Sequence, residues 1–337
     1  MKARILMVGD SELLFSSVES AMRERGHDVE HRRSFDQFTN DPGALTDVDV
    51  LYAFGGLPVT EAHLAVASRL RALISPFTGT EGFDRGKATE RNIVIGMGQT
   101  IENYVSMAEA TIMLVLAALY DLPATQAQFG QWGTSPVPLL PRRTLRGRTL
   151  GLIGLGRIAR AMVERLAGWE CRILAYAPRE PREVPPRVEL VPLDSLLSQS
   201  DVICVLATLD ASNRHLLDER RLRSMKRDAI LVNTARGGLI DEAALAQVVN
   251  EGHLASLALD VFETEPLPQQ SPLRTLPRSI LTPHAAGHTI DTTQSLPAAA
   301  IANIDCVLAG EPPLHVRNPE VLPGWRQRWG PHGASGE

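Results

Sequence analysis

Short apolar runs alternate with amphipathic stretches through the first hundred residues. The runs typical of strands cover residues 4–8, 49–54, 72–75 and 92–95, and the stretches typical of helices cover 11–25 and 60–70. Strands buried on both faces read as short continuous apolar segments, and their parallel pairing requires a crossover between them. The pattern therefore predicts a parallel sheet covered by helices.

A long segment with helical apolar periodicity follows at residues 101–120 and ends before Pro123. Residues 123–147 are rich in proline and glycine, which interrupt regular structure. We interpret these two stretches as an interdomain helix followed by a linker.

A second alternating series begins at Arg148, with helical stretches between most of its strands. A helix is predicted at residues 289–309, and the proline-containing tail after it is too short to fold alone and is expected to return to the first domain. A chain of 337 residues usually divides into two domains. The strands of this second series are predicted at 149–153, 171–176, 201–206, 229–233, 256–260 and 280–282.

Composition and charge indicate which class of partner and which cellular compartment to expect. A net charge of −5 and a pI near 6.0 give no basic footprint for nucleic acid, so we expect a small-molecule partner. The three cysteines lack CxxC spacing and are predicted to be reduced core residues. The N-terminus enters a strand pattern directly, and no run approaches the ~20 apolar residues of a membrane span. We expect a cytoplasmic protein without membrane contact.

The most informative segment is Gly154-Leu-Gly156-Arg-Ile-Ala159, which follows an apolar run and opens a helical stretch. Glycines let the backbone turn tightly and come close to phosphate, and the free N–H groups at a helix start supply donors and a positive dipole. Alone the pattern is weak, but between a strand and a helix it predicts a dinucleotide site for NAD(P).

Polar residues follow three later strands of this series. Ligands of open parallel sheets bind beyond the carboxyl ends of the strands, so Arg236, Asp260 and His284 are expected to converge there. Arg236 precedes two glycines and suits a bidentate grip on a carboxylate, the alternative being a surface arginine in an ion pair.

His284 requires a partner to act as an acid or base, and Glu265 is our candidate. A neighbouring carboxylate favours the charged imidazole, which then holds a proton for transfer near neutral pH. Glu263 could replace Glu265 on spacing alone. His284 and His288 are four residues apart, but Pro283 argues against a helix and no third ligand is evident, so we expect no metal.

With Arg236, Glu265 and His284 in this order after a glycine turn, the chain resembles the D-isomer-specific 2-hydroxyacid dehydrogenase family over nearly its whole length. The resemblance rests on four segments and on a closing Asn318-Pro-Glu-Val-Leu: Gly147-Arg-Thr-Leu-Gly-Leu-Ile-Gly-Leu-Gly-Arg-Ile-Ala, Leu231-Val-Asn-Thr-Ala-Arg-Gly, Leu259-Asp-Val-Phe-Glu-Thr-Glu-Pro and Leu281-Thr-Pro-His.

The resemblance implies an α/β fold of two doubly wound parallel-sheet domains with a cleft between them, and usually a homodimer. A flavodoxin-like catalytic domain would comprise residues 1–100 and 287–337, and a Rossmann NAD(P)-binding domain residues 101–286. The implied activity is hydride transfer between a nicotinamide cofactor and a small 2-oxo or 2-hydroxy acid, as in glyoxylate or hydroxypyruvate reductases.

The resemblance also implies residue roles. His284 would be the acid/base, Glu265 would keep it charged, and Arg236 would contact the substrate's carboxylate and carbonyl. Asp260 would lie near the nicotinamide carboxamide. Substrate contacts are expected from Thr78 and Gly79 in the loop at residues 75–79, and from Arg236 and His284. Cofactor contacts are expected from Gly154, Gly156, Arg157, Ile158, Ala177, Arg179, Thr208, Thr234, Ala235, Arg236, Asp260 and His284.

Two departures from the family pattern affect specificity. Where NAD-dependent members carry an aspartate after the second Rossmann strand, this chain has Tyr176-Ala-Pro-Arg179. An arginine can pair with a 2′-phosphate, so NADP(H) is favoured over NAD(H), with Arg179 and Arg182 as candidate readers. Phe77 stands where the family often has glycine and would narrow the substrate pocket or give it an aromatic wall.

Two other functions remain open. Residues around Val105-Ser-Met-Ala-Glu109 have some similarity to formate dehydrogenases, although that branch has glutamine where this chain has Glu265. The same fold also occurs in dinucleotide-sensing binding proteins of the corepressor kind. Glu265 argues against a formate dehydrogenase, and intact Arg236, Glu265 and His284 favour catalysis over a binding role.

Overall fold

A computed structural model describes residues 2–130, 132, 139, 141–179, 181 and 183–330. The chain divides into two compact units. The described residues of Met1–Asn103 and Thr289–Glu337 form the first unit, and those of Tyr104–His288 form the second.

The described residues form twelve strands and twelve α-helices. The strands are β1 (Arg4–Val8), β2 (Asp28–Arg32), β3 (Val50–Ala53), β4 (Ala72–Ser75), β5 (Val94–Met97), β6 (Thr149–Ile153), β7 (Arg172–Tyr176), β8 (Val188–Leu190), β9 (Val202–Val205), β10 (Ile230–Asn233), β11 (Ser256–Leu259) and β12 (Ser279–Leu281). The helices are α1 (Glu12–Glu24), α2 (Phe35–Thr39), α3 (Glu61–Ala65), α4 (Arg85–Glu90), α5 (Ile101–Leu119), α6 (Leu122–Phe129), α7 (Arg157–Arg165), α8 (Leu193–Gln199), α9 (Glu219–Ser224), α10 (Glu242–Asn250), α11 (Ile290–Leu308) and α12 (Leu322–Trp329).

The first unit is built on a five-stranded parallel sheet in the order β2-β1-β3-β4-β5, which is the flavodoxin-like order. Successive residues of its central strand point to opposite faces. Ile5 and Met7 join the cluster that packs against α1 and α11, whereas Leu6 and Val8 join the cluster on the other face. Burial on both faces explains why this strand is a continuous apolar run.

The second unit contains a seven-stranded parallel sheet in the order β12-β11-β10-β9-β6-β7-β8. Strand order reverses between β6 and β9, because β6 lies beside β7 on one side and beside β9 on the other. This is the doubly wound arrangement in which ligands bind beyond the carboxyl ends of the strands at the reversal. The predicted fold class of two doubly wound parallel sheets is confirmed.

The two strands that the sequence pattern did not predict lie at sheet edges. In β2 only Val29 is buried, and in β8 no residue is. An edge strand has one partner and more solvent, so it tolerates charged residues and loses the apolar signal. The helix predicted at 60–70 is shorter, because after α3 the chain continues as turns that still bury Ala67 and Leu70.

The helix predicted at residues 101–120 is confirmed as α5, but part of the predicted linker is helical. Pro123 lies in the first turn of α6, where its missing N–H leaves no hydrogen bond unmade. By length and composition α5 is also apolar enough to cross a membrane. Eight of its residues are buried, and several of them pack in a core cluster of the second unit, so it serves here as a core helix.

The C-terminal tail belongs to the first unit, as predicted. Asn318 is fully buried, and its side chain accepts a hydrogen bond from the Ile95 amide (2.8 Å) and donates one to the Ile93 carbonyl (3.1 Å). Trp325 on α12 is also fully buried and donates its indole N–H to the Arg71 carbonyl. The tail is therefore anchored by specific polar contacts as well as by apolar packing.

Candidate active site

The glycine turn after β6 needs its two glycines for different reasons. Gly154 has a φ of 105°, and a Cβ there would lie 2.8 Å from the backbone nitrogen of Ala207. Gly156 is exposed at the N-terminus of α7, and a Cβ there would meet no atom of the described chain within 4 Å beyond its neighbours. The second glycine thus leaves the first amides of α7 open to a ligand. These amides and the helix dipole fit the pyrophosphate of a dinucleotide.

The residues after the turn differ in what they offer a ligand. Arg157 is exposed and Ile158 is half-buried, so both are accessible at the start of α7. Ala159, at the third glycine position of the fingerprint, is fully buried and packs in the core beneath the helix. Its small side chain allows the close packing of helix on strand that this position requires.

The second strand of this sheet, β7, ends without a carboxylate. It is followed by the half-buried Ala177 and the exposed Arg179, while Arg182 lies outside the described residues. Asp210, in the loop after β9, is close enough to interact with Arg179. Hydrogen bonds from the Ser212 hydroxyl and amide, together with the Arg179 charge, hold the pKa of Asp210 below its usual range. The positive charge of Arg179 and the negative charge of Asp210 therefore lie near each other at the carboxyl ends of β7 and β9.

Two predicted cofactor contacts follow other strands. Thr208 is exposed after β9, and its carbonyl accepts a hydrogen bond from the Asn213 side chain (2.8 Å). Thr234 is buried after β10, and its hydroxyl lies 2.9 Å from that of Thr111 on α5. Thr208 is therefore accessible to a ligand through its side chain, whereas Thr234 helps to attach its strand end to α5.

The turn that carries Arg236 is held by its neighbours. The Asn233 side chain accepts a hydrogen bond from the Ala235 amide and donates one to the Arg236 carbonyl, both at 3.0 Å. A Cβ at Gly237 would lie 1.9 Å from the carbonyl carbon of Phe262. Only glycine allows the Arg236 turn to pack against the backbone of the loop that follows β11.

Asp260 organises the loop that carries His284. It is 1% exposed, and one of its carboxylate oxygens accepts the Thr282 hydroxyl (2.6 Å) and the amides of Ala285 (3.0 Å) and Ala286 (3.1 Å). Its carbonyl accepts the His284 amide at 2.8 Å. Asp260 therefore has a structural role in this loop. Its contact with the nicotinamide stays a prediction.

The loop after β11 brings Glu265 to His284. The imidazole Nδ1 lies 2.7 Å from Oε2 of Glu265, and the other carboxylate oxygen accepts the Phe262 amide at 2.9 Å. Burial opposes ionisation of Glu265, but these hydrogen bonds and the charges of His284 and Arg236 outweigh it and lower its pKa. An ionised Glu265 makes Nδ1 the donor, which leaves Nε2 as the atom that can exchange a proton with a ligand.

Glu263 contacts other side chains than His284, and this decides which of the two candidate carboxylates is the partner of the imidazole. Its oxygens lie 2.7 Å from a guanidinium nitrogen of Arg214 and 2.9 Å from Nε2 of His215. It therefore faces the segment after β9, while Glu265 faces His284. The prediction of Glu265 as the partner of the imidazole agrees with this geometry, and the alternative of Glu263 does not.

The loop predicted to contact the substrate lies in the first unit, after β4. The buried hydroxyl of Ser75 donates to the Gly79 carbonyl (2.9 Å) and accepts the Phe77 amide (3.3 Å). Gly55 packs against the same loop, since a Cβ there would lie 1.8 Å from the Gly79 carbonyl oxygen. Thr78 and Gly79 are half-buried in this closed loop. Their contact with substrate stays a prediction.

Phe77 forms an aromatic surface with Phe54, which follows β3. The two rings are stacked, with centroids 6.3 Å apart and an interplanar angle of 16°, and both side chains are partly exposed. The carboxyl end of the first sheet therefore carries an apolar surface at these two rings. The role of Phe77 in a substrate pocket stays a prediction.

Sequence reasoning missed two residues that shape the site. Asn233 ends a buried strand, and an asparagine placed directly before a turn is a signal for side-chain bonds to the following backbone. His215 gave no such signal, because its contact with Glu263 joins segments 48 residues apart. Among the described residues, no group of three or more His, Cys, Asp or Glu side chains is placed to hold a metal.

The fold and this arrangement define a dinucleotide-binding protein with an imidazole–carboxylate pair, and comparison with known proteins supports that class. The family model for the NAD-binding domain of D-isomer specific 2-hydroxyacid dehydrogenases matches residues 93–286. The chain is 37% identical over 284 residues to a glyoxylate reductase of Thermofilum pendens, covering 82% of this chain and 84% of that protein.

Two solved structures are also similar to this chain. One is an NADPH-dependent glyoxylate/hydroxypyruvate reductase of Sinorhizobium meliloti in complex with NADP and malonate (26% identity, TM-score 0.81, 95% of this chain and 98% of that one). The other is an NAD-dependent formate dehydrogenase of Staphylococcus aureus in complex with NAD (27% identity, TM-score 0.81, 92% of this chain and 96% of that one).

The chain belongs to the D-isomer-specific 2-hydroxyacid dehydrogenase family, as its sequence motifs indicated. It is an oxidoreductase with a Rossmann-type NAD(P)-binding domain.

Proposed function

We propose that this protein reduces a small 2-oxo acid of the glyoxylate or hydroxypyruvate kind, with His284 as the proton donor. The observation that carries the proposal is the 2.7 Å contact between His284 and Glu265, in the same unit as the glycine turn of the dinucleotide site. The names of the Thermofilum and Sinorhizobium relatives support the substrate class.

The roles of the protein groups follow from their geometry. When bound, NAD(P)H supplies the hydride. Glu265 accepts the Nδ1 proton of His284 in a hydrogen bond and stabilises the imidazolium, so that Nε2 can give its proton to the carbonyl oxygen as the carbonyl carbon accepts the hydride. His284 becomes neutral in this step and takes a new proton from water. The Arg236 guanidinium binds the substrate carboxylate and stabilises the negative charge that develops on the oxygen.

The loop after β4 is the proposed second contact for the substrate. Amides of Thr78 and Gly79 would donate to the substrate carboxylate, and Phe77 would restrict the space around the remaining substituent. A small 2-oxo acid fits such a restricted position better than a long one does.

NADP(H) is the proposed cofactor. The end of β7 has no carboxylate to accept a ribose 2′-hydroxyl and repel a 2′-phosphate, and the exposed Arg179 can pair with that phosphate. The related reductase of Sinorhizobium is named as NADPH-dependent, whereas the formate dehydrogenase of Staphylococcus is named as NAD-dependent.

The test is a panel of 2-oxo acids assayed with NADPH and with NADH, repeated on His284→Ala and Arg236→Ala. We expect His284→Ala mainly to lower kcat, because it removes the acid without removing the carboxylate contact. Arg236→Ala should also raise KM, because it removes a contact made in the ground state. Near-normal turnover in either variant would remove that residue from the mechanism.

Formate oxidation is the second candidate, since a formate dehydrogenase is among the similar structures. Formate has no hydroxyl proton to transfer, so the reaction needs no acid or base. An ionised Glu265 bonded to His284 is therefore better explained by 2-oxo acid reduction. Formate-dependent reduction of NAD(P)⁺ without activity on any 2-oxo acid would reverse this choice.

A dinucleotide-sensing binding protein is the third candidate, and it requires a different assay. Absence of cofactor oxidation across the panel, combined with partner binding only when cofactor is present, would favour it. The pairing of Glu265 with His284 supports catalysis instead.

A homodimer in the cytoplasm is also proposed. Tyr120, Phe129 and Trp132 are 47%, 71% and 73% exposed on or near α5 and α6, and association would cover such apolar side chains. Light scattering after size-exclusion chromatography tests the dimer, and cell fractionation tests the compartment.

A further inference from the structure

The carboxylate of Glu263 contacts an arginine and a histidine from the segment after β9. Arg214 lies 2.7 Å from one carboxylate oxygen, and His215 lies 2.9 Å from the other. The Glu263 side chain is 21% exposed, so its contact with His215 is partly shielded from solvent, whereas the Arg214 side chain is 57% exposed. Charged hydrogen bonds in such a position restrain a loop more strongly than exposed pairs do.

His215 also contacts the turn that carries Arg236. Its amide donates to the Gly238 carbonyl at 2.8 Å, and its backbone has a left-handed φ of 51°. Two residues later the Leu217 amide donates to the Leu239 carbonyl at 2.9 Å. His215 therefore joins the Arg236 turn through its backbone and the Glu263 loop through its side chain.

Three carboxylates crowd this loop. The Glu263 amide donates to a carboxylate oxygen of Glu242 at 2.6 Å, at the start of α10. Burial raises the pKa of Glu242, and the charges of Glu263 and Glu265 add to this. Like charges so close repel each other, so the Arg214 guanidinium and the hydrogen bond to His215 hold the Glu263 carboxylate in place against this repulsion.

A short series of contacts leads from His215 to the proposed proton donor. His215 holds Glu263, and the residue before it, Phe262, donates its amide to Glu265 at 2.9 Å. Glu265 in turn binds Nδ1 of His284 at 2.7 Å. A displacement of the Phe262–Glu263 backbone would be transmitted directly to the carboxylate that orients the imidazole.

We propose that His215 and Glu263 are positioning residues for the acid–base pair, holding the loop after β11 so that Glu265 stays aligned with His284. Neither is proposed to touch the substrate. The inference rests on the proposed function, because it assigns the two residues a role in the proton transfer that His284 performs there.

The test compares His215→Asn, His215→Gln, Glu263→Ala and the double variant His215→Asn/Glu263→Ala. Asparagine tolerates the left-handed backbone but is too short to reach Glu263, whereas glutamine places an N–H donor the same number of bonds from Cα as Nε2. His253→Asn is the matched control, since that imidazole lies 3.0 Å from the Met225 carbonyl and so bonds to backbone, whereas His215 bonds to a carboxylate.

We expect His215→Asn to lower kcat about tenfold with KM changed by less than about twofold, because the loop loses alignment rather than a substrate contact. His215→Gln should recover most of the activity. The double variant should be no worse than the more impaired single variant, because both remove one interaction.

A second readout does not depend on turnover. The Hε1 chemical shift of His284, assigned by comparison with His284→Asn and measured at one neutral pH, should differ from the wild-type value in His215→Asn and match it in His253→Asn. An unchanged His284 chemical shift in His215→Asn would overturn the inference, even if kcat fell. A wild type that reduces no 2-oxo acid would instead overturn the proposed function, while the chemical shift would still test the positioning.

Discussion

Nδ1 of His284 lies 2.7 Å from Oε2 of Glu265, nineteen residues earlier in the chain. The pair is assembled by two loops at the carboxyl ends of β11 and β12, and Asp260 supports the second of these loops with three hydrogen bonds. The imidazole is thus oriented by the Glu265 carboxylate, and the loop that carries it is held by the carboxylate of Asp260.

Removing the imidazole should affect turnover more than removing the charge of its partner. We expect His284→Ala to lower kcat by about 10²–10⁴, the usual contribution of a general acid. Glu265→Gln keeps an acceptor near Nδ1 but not the charge that stabilises the imidazolium, so its loss should be smaller. Steady-state kinetics measure both, with Glu251→Gln, whose exposed carboxylate pairs with Arg223, as control. Equal activity of Glu265→Gln and the wild type at all pH values would contradict the role of the charge.

The acidic side of the pH profile of kcat/KM should depend on the ionisation of Glu265. Its pKa is lowered from the ordinary value of 4.5, so its carboxylate stays ionised as the pH falls from neutral to about that value. The contribution of the Glu265–His284 pair to stability is therefore present above pH 4.5. It is lost only as the pH falls through the lower pKa that Glu265 has in the folded protein. We expect no loss of kcat/KM from this group between pH 7 and 4.5, measured over times in which the protein stays folded. An acid limb above pH 5 that Glu265→Gln abolishes would contradict this.

Two glycine substitutions should separate cofactor binding from folding. Gly156→Ala adds a methyl group where the described chain leaves space, so it should leave Tm unchanged and weaken NAD(P)H binding by obstructing the approach to α7. Gly237→Ala would place its methyl group 1.9 Å from a backbone carbon of Phe262, so it should lower the free energy of unfolding by about 2 kcal/mol or more.

Thermal melts and cofactor fluorescence titrations measure both effects. Gly86→Ala on α4, where the added carbon makes an ordinary contact of 3.6 Å, is the control. Normal cofactor affinity in a folded Gly156→Ala protein would remove this glycine from the binding site.

Asp260 should be important for stability. Asp260→Ala leaves the Thr282 hydroxyl and two loop amides without their acceptor, and we expect a loss of about 3 kcal/mol in the free energy of unfolding. Asp260→Asn keeps an oxygen acceptor and should lose less. Urea unfolding measures these changes, with Asp194→Ala, whose side chain is 62% exposed, expected within about 0.5 kcal/mol of the wild type. A similar stability of Asp260→Ala and Asp194→Ala would contradict the role of the buried carboxylate.

Charge at the end of β7 should set the choice of cofactor. Arg179→Ala should raise KM for NADPH about tenfold and change KM for NADH little, because only NADPH carries the 2′-phosphate. Asp210→Asn should have the opposite effect on NADPH, since the aspartate charge that interacts with Arg179 is removed. Arg220→Ala on α9 is the control. A clear NADH preference of the wild type would refute the assignment.

How far the sequence predicts the elements depends on their burial. The strands predicted at residues 4–8, 72–75 and 149–153 coincide with β1, β4 and β6, because both faces of these strands are covered and their apolar runs are unbroken. The edge strands β2 and β8 are polar and were not predicted. Short helices such as α2 and α4 were missed as well, since one or two turns are too short for an apolar period to show.

The sequence alone determined the parallel α/β architecture, the glycine turn and the residue types of the site, because these depend on local patterns and on motifs a few residues long. Only the tertiary structure decided which of two glutamates meets the imidazole. Glu263 and Glu265 lie on one loop and are equivalent by spacing, but Arg214 and His215 from a distant segment bind the first and leave the second to His284. Contacts of this kind depend on side chains that folding brings together from distant parts of the chain, so local sequence patterns do not predict them.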